Sequence, residues 1–201
     1  TIIFHKQNYL YGLDKAKVNI KTQGSVFVEG QMDLISAYQA GFKNVVASSG
    51  TAITTNQLKL LKRYSNEITF CLDSDNAGIN AVYKGVELAE KQDFNIKVAN
   101  IPKQFKDIDE LIKNDRTLAD QVIHNAVSAY DFFLSDKLNK YNKDSAYGKK
   151  KIIEELKPLL EKISNKVLFE SYLKELQNQL DIDFLTLKQI YLYHIQNLKF
   201  S

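Results

Sequence analysis

Four short apolar runs constrain this chain more than any other feature: SVFVE at 25–29, NVVA at 44–47, ITFCL at 68–72 and IKVANI at 96–101. They are rich in Val, Ile and Phe, as buried strands should be. Helix-length stretches separate them. Residues 32–41 place Met32, Ile35, Ala37 and Tyr38 ahead of Gly41, a helix stop. Leu58, Leu60 and Leu61 lie within 55–64, and Ala81, Val82, Val86 and Ala89 within 77–92. Strands that alternate with such helices predict a parallel, layered α/β sheet over residues 23–104. Beyond about 105 the strand signal ends and residues 105–201 read as helices, with Ile152, Ile153, Leu156, Leu160 and Ile163 on one stripe. Pro158 is expected to bend or divide the last long helix.

Two of the apolar runs end in acids. Glu29 and Gly30 follow the first, and Asp73 and Asp75 follow the third, ahead of Gly78. Ligands of a parallel sheet gather beyond the carboxyl ends of its strands. Residues two apart on an extended chain share a side, so Asp73 and Asp75 can point together. Three converging carboxylates repel one another unless a cation lies between them. Oxygen donors without nearby Cys or His favour Mg²⁺ or Mn²⁺ over zinc. An ion held by few carboxylates completes its shell with phosphate oxygens, which points to phosphoryl or nucleotidyl transfer. A single Asp after a strand is more often a turn former or helix cap, and Asp75 before NAG fits that role as well.

The totals set the frame. With 201 residues, 44% hydrophobic and 25% charged, the balance is that of a soluble globular protein of one domain or two small ones. No apolar stretch nears the roughly 20 residues that span a bilayer, and no leader pattern opens the chain. The single Cys71 excludes an intramolecular disulfide and, inside an apolar run, reads as a buried thiol in a reducing compartment. Net charge is +3. Residues 1–22 carry Lys6, Lys15, Lys17 and Lys21 against Asp14 alone, either a polyanion contact or a solvated lysine-rich segment.

The motifs VEGQMD and LDSDNAG resemble the TOPRIM signature, a Glu-Gly pair after one strand and an Asp-x-Asp pair after a later one. FHKQNYLYGLDKAK at 4–17, VASSGTAIT at 46–54 and KDIDELI at 106–112 resemble, in order and spacing, segments of bacterial DnaG-type DNA primases. The resemblance covers residues 4–115 and extends more loosely over the helical remainder. It implies that residues 1–22 end a basic subdomain, that 23–104 form the TOPRIM domain and that 105–201 form a helical subdomain. It implies a metal centre of Glu29, Asp73 and Asp75, with Asp107 and Asp109 extending it, Lys6 touching nucleotide or primer, and Asp33 supporting the site or capping a helix. Ile108 stands where the family places proline, so that pair either lines the site or starts a helix. The implied activity is template-directed synthesis of RNA primers on single-stranded DNA from ribonucleoside triphosphates, in a bacterial cytoplasm. Zinc is expected only in a separate N-terminal domain, and the replicative helicase through a domain absent here. The chain is therefore expected to be a fragment, and in isolation either active or not.

Two other readings stand beside it: a TOPRIM nuclease or topoisomerase fragment, and a non-catalytic module that binds nucleic acid or a replication partner. His5, His124 and His194 are dispersed without metal-ligand spacing. GKKK at 148–151 reads as either a nucleic-acid contact or, more commonly for such a run, a solvated helix start, and Tyr9 and Tyr11 either stack on bases or pack at the sheet edge. No GxxxxGK[ST] phosphate loop is present.

Overall fold

The computed structural model describes residues 6–50, 52–163 and 165–197. The four apolar runs form β1 (Ser25–Val28), β2 (Val45–Ala47), β3 (Glu67–Phe70) and β4 (Asn95–Val98), joined by a short β5 (Val127–Ser128). Sheet order is β2-β1-β3-β4-β5, with the first four strands parallel and β5 antiparallel against β4. The connecting helices are α1 (Leu13–Gln23), α2 (Gln31–Gln39), α3 (Thr55–Lys62), α4 (Asn76–Glu90), α5 (Ile108–Asn114) and α6 (Arg116–His124). The chain moves outward from β1 to β2 and then returns to the other side of β1 at β3. The carboxyl ends of β1 and β3 therefore flank a topological switch point, where a crevice opens.

Alternation along the strands separates two cores. Val26, Val28, Val45, Ala47, Cys71 and Ala99 pack with Leu34 and Ala37 of α2, Ile108 and Leu111 of α5, and Ala119 of α6. Phe27 and Phe70 face the other way and meet edge to face, with ring centroids 5.7 Å apart. A Cβ at Gly85 of α4 would come within 2.8 Å of the Phe70 ring, so the missing side chain lets α4 sit directly on that pair. Both rings are buried, and each contributes roughly 2–3 kcal/mol.

The chain divides into two compact units, Thr1–Ala129 and Tyr130–Ser201. The division falls at 129/130 rather than at the expected 104/105, because α5 and α6 close one face of the sheet and β5 extends its edge. The lysine-rich opening is likewise part of the first unit. Ala16 and Ile20 of α1 are fully buried, and α1 packs beside β2. The second unit holds α7 (Ala129–Lys140), α8 (Ala146–Leu160), α9 (Lys166–Leu180) and α10 (Phe184–Asn197). Its core contains Phe133, Ile152, Leu156, Leu173, Leu176 and Tyr191. Pro158 marks a division of the long helical stretch, as expected: it lies in the last turn of α8, which ends at Leu160, and α9 starts afresh at Lys166. Buried Lys137 pairs with Asp136 at 2.7 Å and with Glu155 at 3.3 Å. Among the described residues no helix is long and apolar enough to cross a membrane.

Candidate active site

Glu29 leaves β1 and Asp73 leaves β3 side by side. The strands are parallel, with Phe27 opposite Phe70, and the Cys71 N–H donates to the Phe27 carbonyl at 2.9 Å, carrying the pairing past the strand end. Glu29 follows two residues after Phe27 and Asp73 three residues after Phe70, so both acids stand just past the paired strand ends. Burial pushes the Glu29 carboxyl above its usual range, and the charge of Asp73 adds to this; a hydrogen bond from the Asp73 backbone opposes it, and Asp33 and Asp75 push further upward. Asp73 is raised by burial and by Asp107, with Lys106 opposing and Asp75 adding. Asp33 is pushed up to about 6 by burial, against a hydrogen bond from Gly30, with Asp107, Asp73 and Asp109 adding. The acids expected from the sequence thus lie within one another's fields.

Three local devices hold them there. Asp75 caps α4, its Oδ1 accepting from the Gly78 N–H at 2.8 Å, so the cap reading of this residue is correct and one carboxylate oxygen is committed. A Cβ on Gly78 would overlap the Asp73 carbonyl, so only glycine lets the first turn of α4 form beneath Asp73. Ser74, between the two acids, ties their loop to the segment before α5: its N–H donates to the Lys106 carbonyl at 2.9 Å and its Oγ to the Phe105 carbonyl at 2.7 Å. That tether brings Asp107 toward Asp73.

Asp33 lies in the first turn of α2, where its Oδ2 accepts from the Gly30 N–H at 2.9 Å. It is both a helix-start contact and a member of the acidic group. Asp107 caps α5, accepting from the Glu110 N–H at 2.8 Å, yet remains close enough to raise Asp33 and Asp73. Asp109 takes the helix-start alternative that the isoleucine left open. It accepts from the Ser36 hydroxyl and from Lys113 at 2.6 Å; burial would raise its carboxyl, but these bonds outweigh burial and hold it below its usual range. With isoleucine between them, the two acids begin a helix, and Asp109 ties α5 to α2. Lys6 lies in a single helical turn at Lys6–Asn8 whose Lys6 side chain is outside the described residues, as are His5 and the His194 side chain. His124 packs on Phe42, with ring centroids 6.2 Å apart, and takes a structural role.

Sequence reasoning passed over three groups. Ser74 reads as filler between acids. Ser48, whose Oγ donates to the Glu29 carbonyl at 3.2 Å, lies in a serine–glycine turn that ITFCL-type apolarity does not signal. Lys84 of α4 shares a cavity of about 260 Å³ with Glu29 and Leu72, although an exposed helical lysine ordinarily marks only a solvated face. Among the described residues no group of three or more acidic, histidine or cysteine side chains is placed to hold an ion by itself. The donors are oxygens in mutual repulsion, a set that fits a hard divalent cation completed by ligands from outside the protein.

Comparison with known proteins agrees with this fold. A Toprim-like family model matches residues 26–112. A second, described as the DnaB-helicase binding domain of primase, matches residues 130–184, which corrects the expectation that a helicase-binding domain lies outside the chain. A DNA primase of Clostridium acetobutylicum is 39% identical over 183 residues, covering 83% of this chain and 30% of that protein. The crystal structure of a DNA primase domain from Pseudomonas aeruginosa superposes with a TM-score of 0.77 at 26% identity, covering 95% of this chain and 61% of that one. A DnaG primase catalytic domain bound to single-stranded DNA gives a TM-score of 0.75 at 27% identity, covering 92% of this chain and 60% of that one. The chain thus spans about 30% of the length of the first curated relative. With a Toprim-like model over the sheet, a primase model over the helical unit and primases among its relatives, the chain belongs to the bacterial DnaG-type DNA primase family.

Proposed function

We propose that this chain provides the metal-dependent nucleotidyl-transfer centre for RNA primer synthesis on single-stranded DNA. The observation that carries the reading is the convergence of Glu29, Asp73, Asp75, Asp33 and Asp107 at the switch point of the sheet. So much negative charge in a half-buried crevice calls for a divalent cation, Mg²⁺ or Mn²⁺. Asp73 and the second oxygen of Asp75 would hold it, with Glu29 as a ligand or proton acceptor and Asp107 extending the centre. When bound, the ion supplies activation of a ribose 3′-hydroxyl and neutralises charge on the departing pyrophosphate.

The residues of the chain do the remainder. Glu29, whose carboxyl is raised above its usual range by burial and by the charge of Asp73, is suited to take a proton from the hydroxyl. Lys106, whose charge acts on Asp73, and Lys84, which lines a cavity with Glu29, would meet phosphate oxygens. Lys6 is assigned to the nucleotide or the growing primer. Asp109, engaged by Lys113 and Ser36, would reach an ion only if those bonds opened. Single-stranded DNA is the template, as the DNA-bound primase of the same fold suggests, and the second unit is the contact for the replicative helicase.

Isothermal titration with Mn²⁺ tests the centre. Asp73→Ala should abolish binding and leave the circular dichroism spectrum unchanged; undiminished binding in the variant would refute the assignment. Labelled single-stranded DNA with ribonucleotides separates the alternatives, since extension marks a primase and cut DNA a nuclease.

A further inference from the structure

A cavity of about 710 Å³ opens between the segment at residues 9–15 and α2. Its walls carry three tyrosines, Tyr9, Tyr11 and Tyr38, over Leu34, with Gln31 and Ser49 at one side. Tyr9 and Tyr11 are 52% and 43% exposed, so part of each ring is accessible at the cavity. The wall they form is held firmly by its backbone. Tyr11 forms an antiparallel bridge to Ala47, exchanging hydrogen bonds at 2.9 and 3.1 Å. Fully buried Gln57 donates to the Tyr9 carbonyl at 2.9 Å. Gly12, at φ 80°, turns the chain onto α2, where any Cβ would press within 2.7 Å of Leu34. Lys43 sits 3.7 Å over the Tyr38 ring and fixes that wall as well.

One end of the cavity, at Ser48, borders the pocket that Glu29 lines. Gln31 lies two residues past Glu29 and its amide is 3.5 Å from the Ser49 hydroxyl, while neighbouring Ser48 bonds the Glu29 carbonyl. A polynucleotide whose sugar-phosphate crosses the acidic crevice therefore has a preformed aromatic recess beside it. Flat π-faces suit tyrosine walls, and the Gln31 amide and Ser49 hydroxyl suit the polar edge of a ring. We propose that this recess takes one unstacked nucleobase, from the template strand or from an incoming nucleotide. The proposal rests on the nucleotidyl-transfer reading for its ligand class.

The 201-residue chain would be titrated into three probes: a heptadeoxynucleotide with one central 2-aminopurine, the same oligonucleotide abasic at that position, and 2-aminopurine riboside triphosphate. Binding of a base probe should quench its fluorescence. Tyr9→Ala and Tyr38→Ala should each weaken it about tenfold, whereas Tyr9→Phe keeps wild-type affinity. Loss confined to the oligonucleotide assigns the recess to template, and loss confined to the triphosphate assigns it to the incoming nucleotide. An abasic probe that binds as tightly as its base-bearing counterpart overturns the proposal, as does unchanged affinity for both base probes in both alanine variants. Mn²⁺ titration keeps the two readings apart. The tyrosine variants should bind Mn²⁺ normally, and Asp73→Ala should keep the quench of the oligonucleotide while losing the ion.

Discussion

Asp33 is buried beside three other acids, and its carboxyl is pushed up to about 6 from an ordinary 3.8. The native state then holds a proton that the unfolded chain releases, so the Asp33 contribution to stability is greatest below about pH 4 and is lost as pH rises through about 6. Asparagine keeps the oxygen that accepts from Gly30 and removes the charge. Asp33→Asn should therefore stabilise the metal-free protein at pH 7.5 by on the order of 1–2 kcal/mol and change little at pH 4. Urea unfolding in the presence of a chelator, at both pH values, measures this; equal stability of the two proteins at pH 7.5 would show that the charge is already compensated. The same repulsion that costs stability without metal favours a cation when one is present.

At the scale of elements, the site depends on how α4 begins. Gly78→Ala would drive a methyl group into the Asp73 carbonyl, which is backbone and cannot move aside as a flexible side chain does. We expect a loss of about 2 kcal/mol or more in urea unfolding together with weaker Mn²⁺ binding; a variant with wild-type values for both would mean that α4 can start elsewhere. The strands and the helices between them were legible in the amino-acid order, because buried parallel strands are written locally as Val, Ile and Phe runs. So was the placement of Glu29, Asp73 and Asp75 at two neighbouring strand exits, since the acids directly follow those runs. Helix α1 was not, because among its many lysines it buries only Ala16 and Ile20. Strand β5 has two residues and takes its extended form from pairing with β4, a contact no local pattern announces. The approach of Asp107 to Asp73 depends on two hydrogen bonds made by Ser74, and the aromatic recess on a bridge between Tyr11 and Ala47. Interactions of that range have no periodicity to read.

For the whole molecule, the acids belong to the first unit, and the effect of an ion should be confined to it. Saturating Mn²⁺ at a hundred times its dissociation constant should stabilise that unit by about 2.7 kcal/mol. Hydrogen exchange should slow at the amides of residues 28–31 and 72–78 and remain unchanged at residues 146–180. Equal slowing in both regions would contradict a centre located at the ends of β1 and β3.

The order β2-β1-β3 also bears on how such a chain can change over evolutionary time. Everything between Glu29 and the start of β3 is an excursion that leaves the crevice and comes back to it, so its length is free while its return address is not. Insertions at its outer turns would leave the acids where they are. A slip of β3 by a single residue against β1 would turn every inward side chain outward and scatter the charges, and so it is pairing register, more than chain length, that inheritance has to preserve.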